Sequence, residues 1–158
     1  MDAATWDVHF TAMKAKGRDD AGLLILRLGL GLVMLVFGCQ KMLGIFGGMG
    51  FTATVSLFDE KMGIPPVFSF LAIAAEFFGS LGVLVGLGTP IAAFGLACTM
   101  AVATYISARG PGTLHDAFTK GDPSHLLFPV MLFFASIAIL ILGPGNYSLD
   151  AKFFRRGR

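Results

Sequence analysis

The chain has 158 residues, of which 55% are hydrophobic and only 14% charged, with formal net charge +2 and mean hydropathy +0.76. A soluble domain of this size carries about 25% charged residues, so the composition excludes an ordinary soluble globule and points to the membrane class. The small net charge, with no basic-aromatic patch, argues against a nucleic-acid partner.

Residues 1–20 form a polar segment of mixed charge, with Lys14, Lys16, Arg18, Asp19 and Asp20. The first apolar run, about Ala21 to Gly38, is read as a retained transmembrane helix. Val36-Phe37-Gly38-Cys39 resembles a lipoprotein cleavage box, but Phe37 suits that box poorly and the preceding segment is long and partly acidic. Residues 27, 31, 34, 38 and 41 advance in steps of four and three. Arg27, Gly31, Met34, Gly38 and Lys41 therefore share one helical face, with a cation at each end.

The connector from Gly44 to Gly63 is glycine-rich and carries an amphipathic stretch, Phe51 to Phe58. Phe51, Val55 and Phe58 fall on one face of a helix. A short interfacial helix is expected here, lying along the membrane surface and roofing the end of the bundle near Lys41. Pro65 or Pro66 then opens the second span, which runs on to Pro90. Glu76 sits near its midpoint, where a carboxylate costs on the order of 3 kcal/mol or more. Ala72, Ala75, Gly79, Gly82 and Gly86 form a small-residue stripe beside it, suited to close approach of a neighbouring backbone.

The third span covers about Pro90 to Ala108, with Ala93, Ala97 and Ala101 on one face. The loop Arg109 to Ser124 holds His115, Asp116 and Asp122, with His125 just after. Without fixed spacing on an element these are read as solvated polar groups, and no metal is expected. The fourth span covers about Leu126 to Leu142 and stops at Gly143-Pro144-Gly145. A basic tail, 151–158, follows. Cys39 and Cys98 lie at different depths, so no disulfide is expected, and Cys98 is read as a small core residue.

The fold class is thus all-α, an integral membrane four-helix bundle with a short interfacial helix between spans one and two. The membrane domain occupies 21–150. Seven Lys or Arg residues flank the two termini and four lie on the opposite side, which places both termini in the cytoplasm.

The charged constellation is Arg27, Glu76 and Lys41. Arg27 is the expected partner of Glu76, because its fork engages a carboxylate bidentately. One reading is a structural pair that docks span one on span two. The other is an intramembrane polar pocket lined by Phe77, Phe78, Met34 and Met100, serving a quinone, a proton or a small anion.

These residues resemble the DoxX family of small four-span membrane proteins. The likeness rests on Arg27 with Gly29, Gly38 followed by Lys41, Gly63-Ile64-Pro65, Glu76 followed by Gly79, Leu84-Val85-Gly86-Leu87-Gly88-Thr89-Pro90, Met100-Ala101, and Gly143 through Asp150. It covers roughly Leu23 to Asp150. The resemblance implies a multi-pass protein of the bacterial inner membrane. It also implies kinship with DoxD, the membrane subunit of thiosulfate:quinone oxidoreductase, and with oxidative-stress complexes. A quinone ligand, a redox partner protein and a homo-oligomer are the corresponding expectations. The spans hold no haem ligand pair, flavin motif or reactive cysteine pair, so a redox reaction by this chain alone is not expected. A non-catalytic membrane scaffold is the alternative. A small-solute carrier is a weaker one, since no internal repeat is evident.

Overall fold

The computed structural model describes residues 3–109 and 123–155, with side chains described from 17 to 109 and from 123 to 153. The His115, Asp116 and Asp122 cluster lies outside the described residues. All regular structure among the described residues is helical. Helix α1 runs Ala3–Met42 without a break, so the polar N-terminal segment and the first span are one rod of about 60 Å at 1.5 Å per residue. Its apolar part is Gly17–Met42. Helix α2, Gly50–Met62, is the expected short connector helix. Helix α3 spans Pro66–Val85, α4 Thr89–Arg109 and α5 Ser124–Leu142. A short α6, Leu149–Arg155, closes the described chain. Four helices, counting α1, are long and apolar enough to cross a membrane.

Each boundary has a local cause. Gly63 ends α2 in the left-handed region at φ 64°, and its N–H donates to the Asp59 carbonyl while that of Ile64 reaches Phe58. Pro66 occupies the first turn of α3, where a missing N–H costs nothing. Gly86, at φ +71°, terminates α3.

The spans share one core of Leu23, Leu30, Met34, Val83, Ala93, Leu96, Met100 and Ile139. Helices α4 and α5 form a closely packed pair, and α1 lies along the second half of α3. The face predicted for α1 is the buried one: Arg27, Gly31, Met34 and Gly38 all point inward. The outward faces are apolar, with Ile91 82%, Ile141 77% and Met131 73% exposed, as suits a lipid-facing surface.

Two glycines of α1 set the distance to α3. A Cβ on Gly38 would lie 2.7 Å from the Phe77 Cα, and one on Gly31 would lie 2.5 Å from Leu84 Cγ. The small-residue stripe of α3 serves α4 instead: Gly79 faces the Ala92 carbonyl and Leu96, and Gly82 meets Ala92. Both cysteines are free, but Cys98 is not the core residue expected. Cys39 is buried and Cys98 is exposed, because Cys98 lies on the outer face of α4.

Candidate functional site

The middle of α3 is not α-helical. Residues Ala75–Gly79 form one π-helical turn. Such turns insert a residue into an α-helix and occur frequently at functional sites. Glu76 is on this turn and is buried.

Its partner is Lys41, not Arg27. The Lys41 ammonium donates to both carboxylate oxygens, at 2.6 Å to Oε1 and 2.5 Å to Oε2. This corrects the pairing expected from side-chain reach. Gly38 brings α1 against the backbone of Glu76 and Phe77, and Lys41, one turn further along α1, then arrives beside the carboxylate. The Lys41 side chain keeps 26% exposure while Glu76 keeps 5%. Its ammonium also lies 5.9 Å from the centre of the Phe58 ring, within range of a cation–π attraction. Helix α2 thus sits over this end of the pair. Its buried residue is Thr54, and Phe51 meets Phe70 of α3 edge to face at 6.0 Å.

The residues expected to line a pocket separate into two groups. Phe77 and Phe78 flank Glu76 and contact each other edge to face at 5.1 Å, with Phe78 58% exposed on the outer surface. Met34 and Met100 are buried in the common core.

Arg27 has a different role. Its guanidinium is buried and donates four hydrogen bonds to main-chain carbonyls: Nε to Val83 at 2.9 Å, Nη2 to Leu84 at 3.1 Å, and Nη1 to Pro144 at 2.7 Å and Tyr147 at 3.0 Å. Val83 and Leu84 end α3, where carbonyls lack intrahelical partners and the helix dipole is negative. The guanidinium thus joins α1, the end of α3 and the segment after α5. Gly86 leaves room for it, since a Cβ there would lie 2.2 Å from Nη2.

Asp150 completes this second cluster, and the sequence reading missed it. Its oxygens accept from the N–H groups of Gly88 at 2.8 Å and Thr89 at 2.9 Å, which caps α4. Its own N–H donates to the Gly86 carbonyl at 2.8 Å. Burial alone would push its carboxyl up. The Thr89 and Gly88 hydrogen bonds, with the nearby Arg27 charge, more than offset that and hold it below the usual carboxylate range. Asp20 extends the cluster by accepting from the Asn146 N–H at 3.0 Å and from the Asn146 side-chain amide. The one available hint was that the stretch Gly143 to Asp150 is polar directly after an apolar span, which does not say what it packs against.

Two charged centres therefore exist at different depths. The Arg27 cluster spends its donors on the backbone. The Lys41–Glu76 pair has capacity left: an ammonium has three N–H donors, and two point at Glu76.

Comparison with known proteins gives a family and a relative. The DoxX family profile matches residues 22–109. The inner membrane protein YqjF of Escherichia coli (strain K12) is 26% identical over 136 residues, covering 85% of this chain and 94% of that protein. No solved structure matches.

Proposed function

Since the chain belongs to the DoxX family, we propose that it is a multi-pass protein of the inner membrane, like the similar YqjF, and serves there as a quinone-linked subunit of a redox complex. Both termini lie in the cytoplasm in this reading, because seven of the flanking cations sit on the terminal side.

The observation that carries the reading is the buried Glu76 carboxylate, held on a π turn by a lysine that retains a donor and partial exposure. Ionisable groups inside a membrane are functional candidates by default. A quinone head group offers what this site can hold: a carbonyl oxygen to accept from Lys41 and a ring to lie against Phe77 or Phe58. Glu76 balances the ammonium charge and offers a carboxylate that can relay, one at a time, the two protons a quinone takes up with two electrons on reduction to the quinol. Electrons come from a partner protein in this reading. Because α2 covers the Lys41 end, entry from the bilayer past Phe78 suits a lipid-soluble ligand better than a hydrophilic one.

A second reading is favoured by the Arg27 cluster. Its hydrogen bonds all end on the backbone of the same chain, as befits a scaffold whose buried charges hold the bundle together.

Purification in mild detergent followed by mass spectrometry of co-purifying quinones and proteins separates the two. The redox-subunit reading expects quinone with the parent protein and a large loss of it in Lys41→Met and Glu76→Gln. A parent protein free of quinone, or equal retention in the variants, supports the scaffold.

A further inference from the structure

Between the end of α1 at Met42 and the start of α2 at Gly50 the chain closes a tight loop. Its ends touch, since a Cβ on Gly44 would lie 3.3 Å from the Gly50 Cα. Its middle folds back onto α1, where a Cβ on Gly48 would lie 2.2 Å from the Gln40 carbonyl oxygen. The Gly48 N–H donates to the Ile45 carbonyl at 3.1 Å, and the Gln40 side-chain amide donates to the Phe46 carbonyl at 3.0 Å. Phe46 sits at φ 54°, in the left-handed region that glycine fills freely and a residue with a β-carbon seldom adopts.

A compact loop with closed ends commonly packs its own side chains inside it. This one turns them out. Leu43 is 56% exposed, Phe46 66% and Met49 57%, and Ile45 is exposed beside them. No charged residue lies between Lys41 and Asp59. Single exposed apolar residues are ordinary, but a contiguous patch marks a contact with membrane or protein. The strain at Phe46 gains little packing within the chain, and strain of that kind points to a use for the side chain it presents.

The neighbouring surface identifies the contact. Leu43 continues the helical turn of α1, its N–H donating to the Cys39 carbonyl at 2.9 Å. Residues 25, 32, 36 and 43 advance in steps of seven, four and seven, so Leu43 prolongs the outward apolar stripe of Ile25, Leu32 and Val36. The outward side chains of α2 are different: Thr52, Ser56, Asp59 and Glu60 are exposed and polar. The boundary between lipid and water therefore falls between the loop and the outer face of α2.

We propose that Leu43, Ile45, Phe46 and Met49 form a rigid anchor that inserts into the lipid leaflet on the side of the membrane where α1 ends. Continuity with the lipid-facing stripe of α1 favours acyl chains over a protein partner as the occupant. The anchor also sets the height of the Lys41 ammonium, because Gln40, its neighbour in sequence, holds Phe46 in place. It is independent of what Lys41 and Glu76 bind.

The test is Phe46→Trp in a Trp6→Phe background, reconstituted into vesicles. The indole should lose about half or more of its emission to lipid brominated near the head-group end of the acyl chains, since an inserted interfacial side chain sits about 5–10 Å into that boundary. Emission that is quenched by aqueous iodide and not by the lipid, or that resists both because a protein covers the loop, overturns the proposal. A second readout uses a smaller change at the same surface. Nitroxide labels on Phe46→Cys and Met49→Cys, each in a Cys39→Ala, Cys98→Ala background, should collide more with dissolved oxygen than with a water-soluble nickel chelate. A label on Ser56→Cys should show the reverse order. Loop labels as open to the nickel chelate as the Ser56 label overturn the anchor equally. Neither readout involves a quinone, so the anchor stands or falls apart from the redox-subunit reading.

Discussion

Replacing Arg27 by Met should be among the most damaging single changes in this protein. The side chain is about the right length and suits the apolar interior, so what is lost is the guanidinium and its four hydrogen bonds to Val83, Leu84, Pro144 and Tyr147. At about 1 kcal/mol net per bond the sum is about 4 kcal/mol; at the membrane-protein average of about 0.6 it is nearer 2.4 kcal/mol. Relief of the buried charge acts in the other direction. The four carbonyls left behind are held in a packed corner, however, and Asp150 loses its nearby counter-charge. We expect a net loss of about 3 kcal/mol. Arg27→Lys tests the geometry. One ammonium has three donors from a single point and cannot serve both the end of α3 and the segment 143–150, so about half the loss should remain. Unfolding in mixed micelles of increasing SDS content, followed by circular dichroism, measures both. If Arg27→Met unfolds within about 0.5 kcal/mol of the parent, the cluster does not hold the bundle together. If Arg27→Lys matches the parent, the charge matters and the fork does not.

The remaining predictions concern the other contacts. Gly38→Ala places a methyl group 2.7 Å from the Phe77 Cα, so α1 must move away from the π turn; a loss of about 1–3 kcal/mol is expected in the same unfolding assay, and an unchanged midpoint would contradict the close approach. Asp150 has a folded-state pKa below its ordinary value of 3.8, so its stabilising contribution is present above that value and is lost as pH falls through the lower folded one. Asp150→Asn should remove that acid dependence and cost about 1–3 kcal/mol near neutral pH; an acid profile identical to the parent's would count against it. Spin labels at Thr52 and Ser56, both exposed, should move faster than one at Thr54, which is buried; three equally fast labels would mean that α2 is not docked. A cysteine placed near Arg158 should react with an impermeant reagent only after cell lysis, and labelling of intact cells would reverse the proposed orientation.

The spans were legible because each is an apolar run with its own boundary signals, Pro65 or Pro66 opening the second and Gly143-Pro144-Gly145 stopping the fourth; Gly86, read as part of the small-residue stripe, instead ends α3 before the expected Pro90. The inward face of α1 was legible too, since Arg27, Gly31, Met34 and Gly38 keep one helical phase. The partner of Glu76 was not. Depth and reach favoured Arg27, but its donors are consumed by carbonyls of Pro144 and Tyr147, more than a hundred residues away in sequence. No local pattern reveals that the polar stretch after α5 folds back against α1. Asp150 was missed for the same reason, since its contacts with Gly88 and Thr89 exist only once the spans have packed. The misplacement of Cys98 has a simpler origin: an apolar run in a membrane protein has two apolar faces, and hydropathy does not distinguish the core-facing one from the lipid-facing one.

The π turn at Ala75–Gly79 also sets a phase relation along α3. A π turn holds one residue more than the α-helical turn it replaces, so the stretches before and after it are rotated by about 100° relative to an uninterrupted helix. A deletion of a single residue within the turn would leave an ordinary, stable-looking transmembrane helix with an almost unchanged hydropathy profile. It would nevertheless turn Ser69 and Ile73 out of their buried positions, or swing Val83 and the Arg27 acceptors out of theirs, depending on which half stays docked. The helical phase of α3 is therefore set by length at this point, and a one-residue insertion elsewhere in α3 could restore packing only by shifting the place where the helix widens.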